Sequence, residues 1–222
     1  MNKSEESKVS DKARALRKEY LHSKLDESEA NKDPLTQFER WFNEAVASEV
    51  VEPNAMVLAT ATSTGAPSAR AVLLKHFDKA GYVFYSNYES RKAKDLEANP
   101  HVALLFYWGE LERQIRIEGK ASKLSHSESE RYFRSRPRDS QLGALASPQS
   151  RVIRNRAVIE DRFAELSKLY ENREVSFPAH WGGYLVRPDK IEFWQGRENR
   201  LHDRLLYCLN KSSEWEMVRL AP

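Results

Sequence analysis

The sequence lacks the features that announce several large protein classes. Its 222 residues contain one cysteine, Cys208, which excludes an internal disulfide framework and suits a reducing compartment such as the cytoplasm. No apolar run approaches the ~18–20 residues a membrane-spanning helix needs, so no membrane partner is expected. Residues 1–20 lack the apolar stretch of a secretory signal. There is no G-x-G-x-x-G, P-loop, H-E-x-x-H or paired Cys-x-x-Cys, the common nucleotide and zinc signatures. The six histidines, at 22, 76, 101, 126, 180 and 202, show no metal-ligand spacing, and no metal is expected. A net charge of +3 is too mild to announce nucleic acid by itself. Repeats and low-complexity linkers are missing too, which leaves one domain as the expectation.

What is present reads as a soluble, mainly β protein. Residues 1–33 are polar, mix both charge signs and contain no glycine. They predict a mobile arm with helical tendency around residues 11–25, ahead of a single domain over 34–222. Asp33-Pro34 reads as an N-cap followed by proline at the first helical position. Leu35, Phe38, Trp41, Phe42, Ala45 and Val46 then recur at helical spacing. From Ala55 the period changes. AMVLATAT, ARAVLLKHF, GYVFYSN, HVALLFYW, RQIRIEGKASKL, GGYLVRP, KIEFWQ and LLYCLN predict short strands separated by turn signals. Helices are predicted near residues 90–99, 125–135 and 155–171. Closely spaced strands predict an antiparallel barrel or sandwich with helical insertions rather than a doubly wound parallel sheet.

Four clusters of cations carry chemical information. Ser90 reads as a helix N-cap, yet Arg91 and Lys92 occupy the first turn, where acids are favoured. Free N–H groups, two cations and a hydroxyl would hold a phosphate; the same pattern also describes a solvated basic helix end. On a strand, Arg70, Val72 and Leu74 share one face, and Ala71, Leu73 and Lys75 the other. Ser125-x-x-Glu128 forms a capping box. Tyr132 and Arg136 lie four apart on the helix it opens, and Pro137 ends that helix just before Ser140. This group suits a second phosphate, although surface charge at a helix end gives the same pattern.

The last cluster lies in WQGRENRLHDRLLY, Trp194 to Tyr207. If extended, it puts Arg200, His202 and Arg204 on one face, with Leu201 and Asp203 on the other. Three donors on a half-buried strand are costly unless a polar or anionic ligand meets them. Together the clusters suggest a phosphorylated cofactor and a phosphorylated small substrate.

These residues resemble the pyridoxine (pyridoxamine) 5′-phosphate oxidases. The matching stretches are RKEY (17–20), DPLTQFERW (33–41), RAVLLK (70–75), YSNYESRKA (85–93), ERQIRIEG (112–119), YFRSRPRDSQLGA (132–144), QS (149–150), WGGY (181–184), EFWQGRENRLHDR (192–204) and the terminal RLAP. The resemblance implies an FMN-binding split barrel, a Greek-key antiparallel fold, working as a homodimer with FMN at the subunit interface. It implies oxidation of pyridoxine 5′-phosphate or pyridoxamine 5′-phosphate to pyridoxal 5′-phosphate, with O2 reoxidising the flavin to give H2O2.

By the same resemblance, Arg70, Ala71, Val72, Leu73, Leu74 and Lys75 would line FMN, with Tyr85, Ser86, Gln114, Gln149, Ser150, Trp194 and Arg204. Some of these would come from the partner subunit. Arg91 and Lys92 would hold the FMN phosphate. Lys75, Tyr132, Arg136 and Ser140 would grip the substrate phosphate. Arg200 and His202 would be catalytic, with Leu201 beside them, and Arg17, Lys18, Glu19 and Tyr20 would close over the substrate. The rival readings are a split-barrel flavoprotein with another substrate and, more remotely, a basic nucleic-acid-binding barrel.

Overall fold

Asp33-Pro34 opens the first helix as the sequence predicts. The computed structural model describes residues 23–222, and in it α1 spans Pro34–Ala47, with the Asp33 carboxylate accepting from the Leu35 N–H. Proline at the first position leaves no N–H to satisfy. The apolar stripe of α1 buries Phe38, Trp41 and Ala45. The predicted substrate residues Arg17, Lys18, Glu19 and Tyr20 lie outside the described residues.

The strands are β1 Ala55–Ala61, β2 Pro67–Leu73, β3 His76–Asp78, β4 Gly81–Asn87, β5 His101–Trp108, β6 Arg113–Lys123, β7 Trp181–Gln195, β8 Asp203–Leu209 and β9 Trp215–Arg219. They form one antiparallel sheet in the order β2-β1-β5-β6-β7-β4-β3. The shared strand is β7. Its first half pairs with β4 and its second half with β8, while β6 runs along its other edge. The sheet therefore curls into an antiparallel half-barrel, the mainly β architecture the strand pattern predicts.

The sequence shows GGYLVRP and KIEFWQ as two strands, but the protein joins them. The joint is an irregularity in the β6–β7 ladder beside Gly119. A Cβ there would sit 2.1 Å from the Arg187 carbonyl oxygen, so only glycine lets the strands approach. Pro188 occupies the same irregularity, where a missing ladder donor costs least.

The helices after α1 are α2 Arg91–Ala98, α3 His126–Ser135, α4 Arg138–Ala146 and α5 Ala157–Leu169. Ser125 and Glu128 form the predicted capping box of α3. Pro137 does end that helix, but it also caps α4, which the sequence pattern does not show. Across β5, β6, β7 and β8, Phe106, Ile115, Phe193 and Leu205 stand in register and are fully buried. The next row along, Tyr107, Gln114, Trp194 and Arg204, faces the other side of the sheet. A smaller cluster of Phe133, Leu142, Ala146, Leu166, Val175 and Trp181 lies beneath α3, α4 and α5.

Candidate active site

The β4–α2 junction, the end of β2 and helix α3 enclose a cleft of about 350 Å³. Arg70, Ala71, Val72, Leu73 and Lys75 line one side; Tyr85, Ser86, Lys92 and Gln149 line another. Tyr132 and Arg136 complete it, together with Asn87 and Trp181. Leu74 instead enters the core at 4% exposure. The lining contains four cations and no carboxylate. Of these cations only Arg70 has an acidic partner among the described residues. Its Nη2 lies 3.8 Å from Asp95 Oδ2, and its Nη1 donates to Thr60 Oγ1 at 2.8 Å and to the Leu58 carbonyl at 3.1 Å. The Thr60 hydroxyl donates onward to Asp95 at 2.7 Å. That network holds Arg70 rigidly at the wall.

Ser90 precedes α2 as predicted, but its side chain makes no capping hydrogen bond. Instead Lys92 Nζ reaches back to Ser90 Oγ at 3.3 Å, to Ser86 Oγ at 3.1 Å and to Gln149 Oε1 at 2.8 Å. All three partners are neutral. Burial, with the nearby Arg70 charge added, pushes the Lys92 ammonium down to about 8. A half-buried lysine held only by dipoles suits an anion. Arg91 is exposed and lies outside the cleft lining. Ser150, next to Gln149, is also exposed and adopts a left-handed backbone, φ 71°.

Tyr85 and Tyr132 stack with centroids 3.8 Å apart, and Trp181 continues the pile 5.3 Å from Tyr85. Arg136 lies over Trp181, 4.6 Å from its centroid. One of its guanidinium nitrogens, Nη1, is buried without a hydrogen-bond partner. Burial lowers its pKa from the usual arginine value. Ser140, on α4, joins Arg136, Asn87, Gln149 and Trp181 around an adjoining hollow. The sequence grouped Tyr132, Arg136 and Ser140; Arg136 borders both hollows, Tyr132 only the first and Ser140 only the second. It gave no role to Trp181 or Asn87, whose closeness depends on β7 pairing with β4.

The remaining predicted residues gather elsewhere. Gln114, Trp194 and Arg204 share one row on the outer face of β6, β7 and β8 and do not line the cleft. Arg204 donates from Nε to Glu192 Oε1 at 2.7 Å and from Nη1 to the Ala221 carbonyl at 2.9 Å. Glu192 is 2% exposed and also meets Arg116 Nη2 at 2.6 Å. This buried acid was not anticipated.

The extended reading of residues 200–202 is wrong. Glu198–Arg200 form a 3-10 turn, with Asn199 and Arg200 left-handed at φ 55° and 61°, and β8 begins only at Asp203. Arg200, His202 and Arg204 therefore do not form one strand face. Arg200 and Leu201 are exposed on the turn. His202 folds onto Trp194, ring centroids 4.6 Å apart, and its Nδ1 accepts the Arg197 N–H at 3.1 Å. A backbone N–H can only donate, so Nδ1 is unprotonated and the neutral ring carries its proton on Nε2. Burial and the Arg200 charge lower the His202 pKa, partly offset by Asp203.

A family model described as pyridoxamine 5′-phosphate oxidase matches residues 42–170. A second, described as a pyridoxine 5′-phosphate oxidase C-terminal dimerisation region, matches residues 181–222. The chain is 59% identical to a pyridoxine/pyridoxamine 5′-phosphate oxidase of Rubrobacter xylanophilus, over 93% of this chain and 95% of that one. Among solved structures, PhzG from Burkholderia lata, crystallised with tetrahydrophenazine-1-carboxylic acid, superposes with a TM-score of 0.83. It is 32% identical, and the match covers 88% of this chain and 95% of PhzG. An FMN-binding, oxidase-related protein from Nostoc punctiforme shares the fold at a TM-score of 0.66 and 17% identity, with 86% and 100% covered. With two adjoining family models over most of its length and a relative this similar, the chain belongs to the pyridoxamine 5′-phosphate oxidase family.

Proposed function

We propose that this protein oxidises pyridoxine 5′-phosphate and pyridoxamine 5′-phosphate to pyridoxal 5′-phosphate. FMN is the cofactor, O2 the oxidant and H2O2 the product. The observation that carries the reading is the cleft whose cations Lys75, Lys92 and Arg136 have no acidic partner among the described residues. Two phosphate-bearing molecules would supply the missing charge. Identity favours this substrate over that of another split-barrel flavoprotein: 59% to the Rubrobacter oxidase against 32% to PhzG.

The residues present fit FMN. Arg91, Lys92 and Ser86 would hold its phosphate, and Arg70–Lys75, Tyr85, Gln149 and Ser150 would line the rest. When bound, FMN supplies the two-electron redox chemistry that no side chain here offers. Lys75, Tyr132, Arg136 and Ser140 would hold the substrate phosphate, and the buried Nη1 of Arg136 would gain its missing acceptor. Arg200 and His202 would face the pyridine ring and its reacting substituent. With Nδ1 accepting the Arg197 N–H, neutral His202 carries its proton on Nε2. It orients a substrate oxygen or nitrogen and does not accept a proton there.

Because Gln114, Trp194, Arg200, His202 and Arg204 stand outside the cleft, a second copy would bring them to it. The outer sheet face exposes Val57, Leu73 and Tyr107, the kind of apolar patch that marks an interface. The family description of residues 181–222 as a dimerisation region supports a homodimer with FMN at the interface. With one cysteine in the chain and no call for a disulfide, we place the enzyme in the cytoplasm.

The test is the visible spectrum of the purified protein without air, before and after pyridoxine 5′-phosphate. A flavin band that bleaches, and returns on admitting O2, is the expected result. A yellow protein that bleaches with neither phosphate would refute the substrate. A colourless protein that does not take up added FMN would refute the cofactor.

A further inference from the structure

We propose that Asp203 is a positioning residue that fastens the N-terminal segment to the turn carrying Arg200 and His202. The inference rests on the oxidase reading above for its catalytic consequence, but its geometry stands alone.

Asp203 sits between His202 and Arg204 and opens β8. Its carboxylate meets three separate stretches of chain. Oδ2 accepts the Leu25 N–H at 3.0 Å, and Oδ1 accepts Arg219 Nη1 at 2.8 Å. Arg197 Nη1 lies 3.7 Å from Oδ2. Arg219 turns back onto the same N-terminal residues: Nη2 donates to the Leu25 carbonyl at 3.0 Å, and Nε to Glu27 Oε1 at 2.6 Å. Both peptide groups of Leu25 are thus held by the two members of one ion pair, and its side chain is 2% exposed. Burial of Leu25 alone would hold this segment to the sheet; the added charges fix its direction and register. On the other side, the Arg197 N–H holds His202 Nδ1. One carboxylate therefore links Leu25 to Arg197, the residue whose N–H holds His202 Nδ1.

The experiment compares wild type with Asp203→Ala and Asp203→Asn as full-length holoenzymes. Trypsin reaches the Lys24–Leu25 bond only when Leu25 leaves its clamp, so the rate of that cleavage reads the fastening directly. Asp203→Ala is expected to cleave faster there. It is also expected to raise KM for pyridoxine 5′-phosphate about tenfold, the loss of one charge-assisted hydrogen bond, while kcat and FMN retention change far less. Asp203→Asn keeps an acceptor for Leu25 and falls between. Faster cleavage with KM unchanged would overturn the proposal, leaving Asp203 a fastening of the fold alone. Parallel losses of kcat, FMN and thermal stability would overturn it as well. A wild type inactive on both phosphates would refute the oxidase reading and the catalytic half of the proposal, while the cleavage comparison would still decide the clamp.

Discussion

Lys92 gives the sharpest test of the phosphate site. Its ammonium is held by Ser86, Ser90 and Gln149, and burial has pushed its pKa from 10.5 to about 8. A phosphate in contact would favour the charged form and move that value back up. The sign follows from linkage. Wherever the free protein has lost the Lys92 proton and the complex has not, binding must take one up, and affinity falls as pH rises. Phosphate monoesters have a second pKa near 6, so FMN is mostly dianionic at pH 7 and gains little further charge by pH 9.

If the bound phosphate restores Lys92 to 10.5, the neutral fraction of the free protein at pH 9 weakens FMN about tenfold relative to pH 7. That is an upper figure, because water at the cleft mouth screens part of the interaction. The assay is quenching of FMN fluorescence by apoprotein at both pH values. Calorimetry in two buffers of different ionisation enthalpy counts the proton directly. Lys92→Met should weaken binding at pH 7 and abolish the difference between the two pH values. A flat affinity in wild type, or the same slope in Lys92→Met, would refute the placement of phosphate on Lys92.

Other substitutions separate the parts of the site. Arg200→Leu is expected to cut turnover more than tenfold with FMN still bound. Because Arg200 is exposed on its turn, stability should stay within about 0.5 kcal/mol, and unchanged turnover would remove Arg200 from the reaction. Gly183→Ala would put a Cβ 2.5 Å from Leu124 Cδ1 and 2.9 Å from Tyr85 Cε1. Overpacking of this kind costs about 1–3 kcal/mol and here tilts Tyr85 out of its stack on Tyr132. Both Tm and substrate KM should suffer, and a variant with neither changed would show the stack to be dispensable.

Local chemistry was legible where a single period ran unbroken. GYVFYSN and HVALLFYW are strands to the residue, and Asp33-Pro34 caps α1 as its side-chain geometry dictates. β9, the sequence WEMVR, was not legible: its polar residues obscure the alternation, and it exists because β8 offers an edge. In the site, the cations of residues 70, 75, 92 and 136 were visible as charges out of place. Their neighbours were not. Asp95 behind Arg70 and Trp181 beneath Arg136 lie far away in sequence, Glu192 reaches Arg204 only across the β7–β8 pairing, and no local pattern reports which strands will meet.

The turn at residues 198–200 failed for a different reason, and the reason bears on function. Alternation assumes that the backbone takes its cheapest extended form. Asn199 and Arg200 both adopt left-handed dihedrals, a conformation that costs an L-residue about 1 kcal/mol or more. Ser150, a predicted cofactor residue on a loop, does the same. Asn199 tolerates the left-handed region, but Arg200 and Ser150 gain no such relief from composition. The surroundings must impose it. At the turn these are the Gly196 N–H bonded to the Glu112 carbonyl, the Leu201 N–H closing on Glu198, and the Arg197 N–H on His202. The turn lifts Arg200 out to solvent while folding His202 back against Trp194, a divergence that no extended strand could give two residues of the same face. The positive charge that looked misplaced in a strand is held, at a cost, on a fixed turn, and that suits groups placed to meet a ligand from another surface.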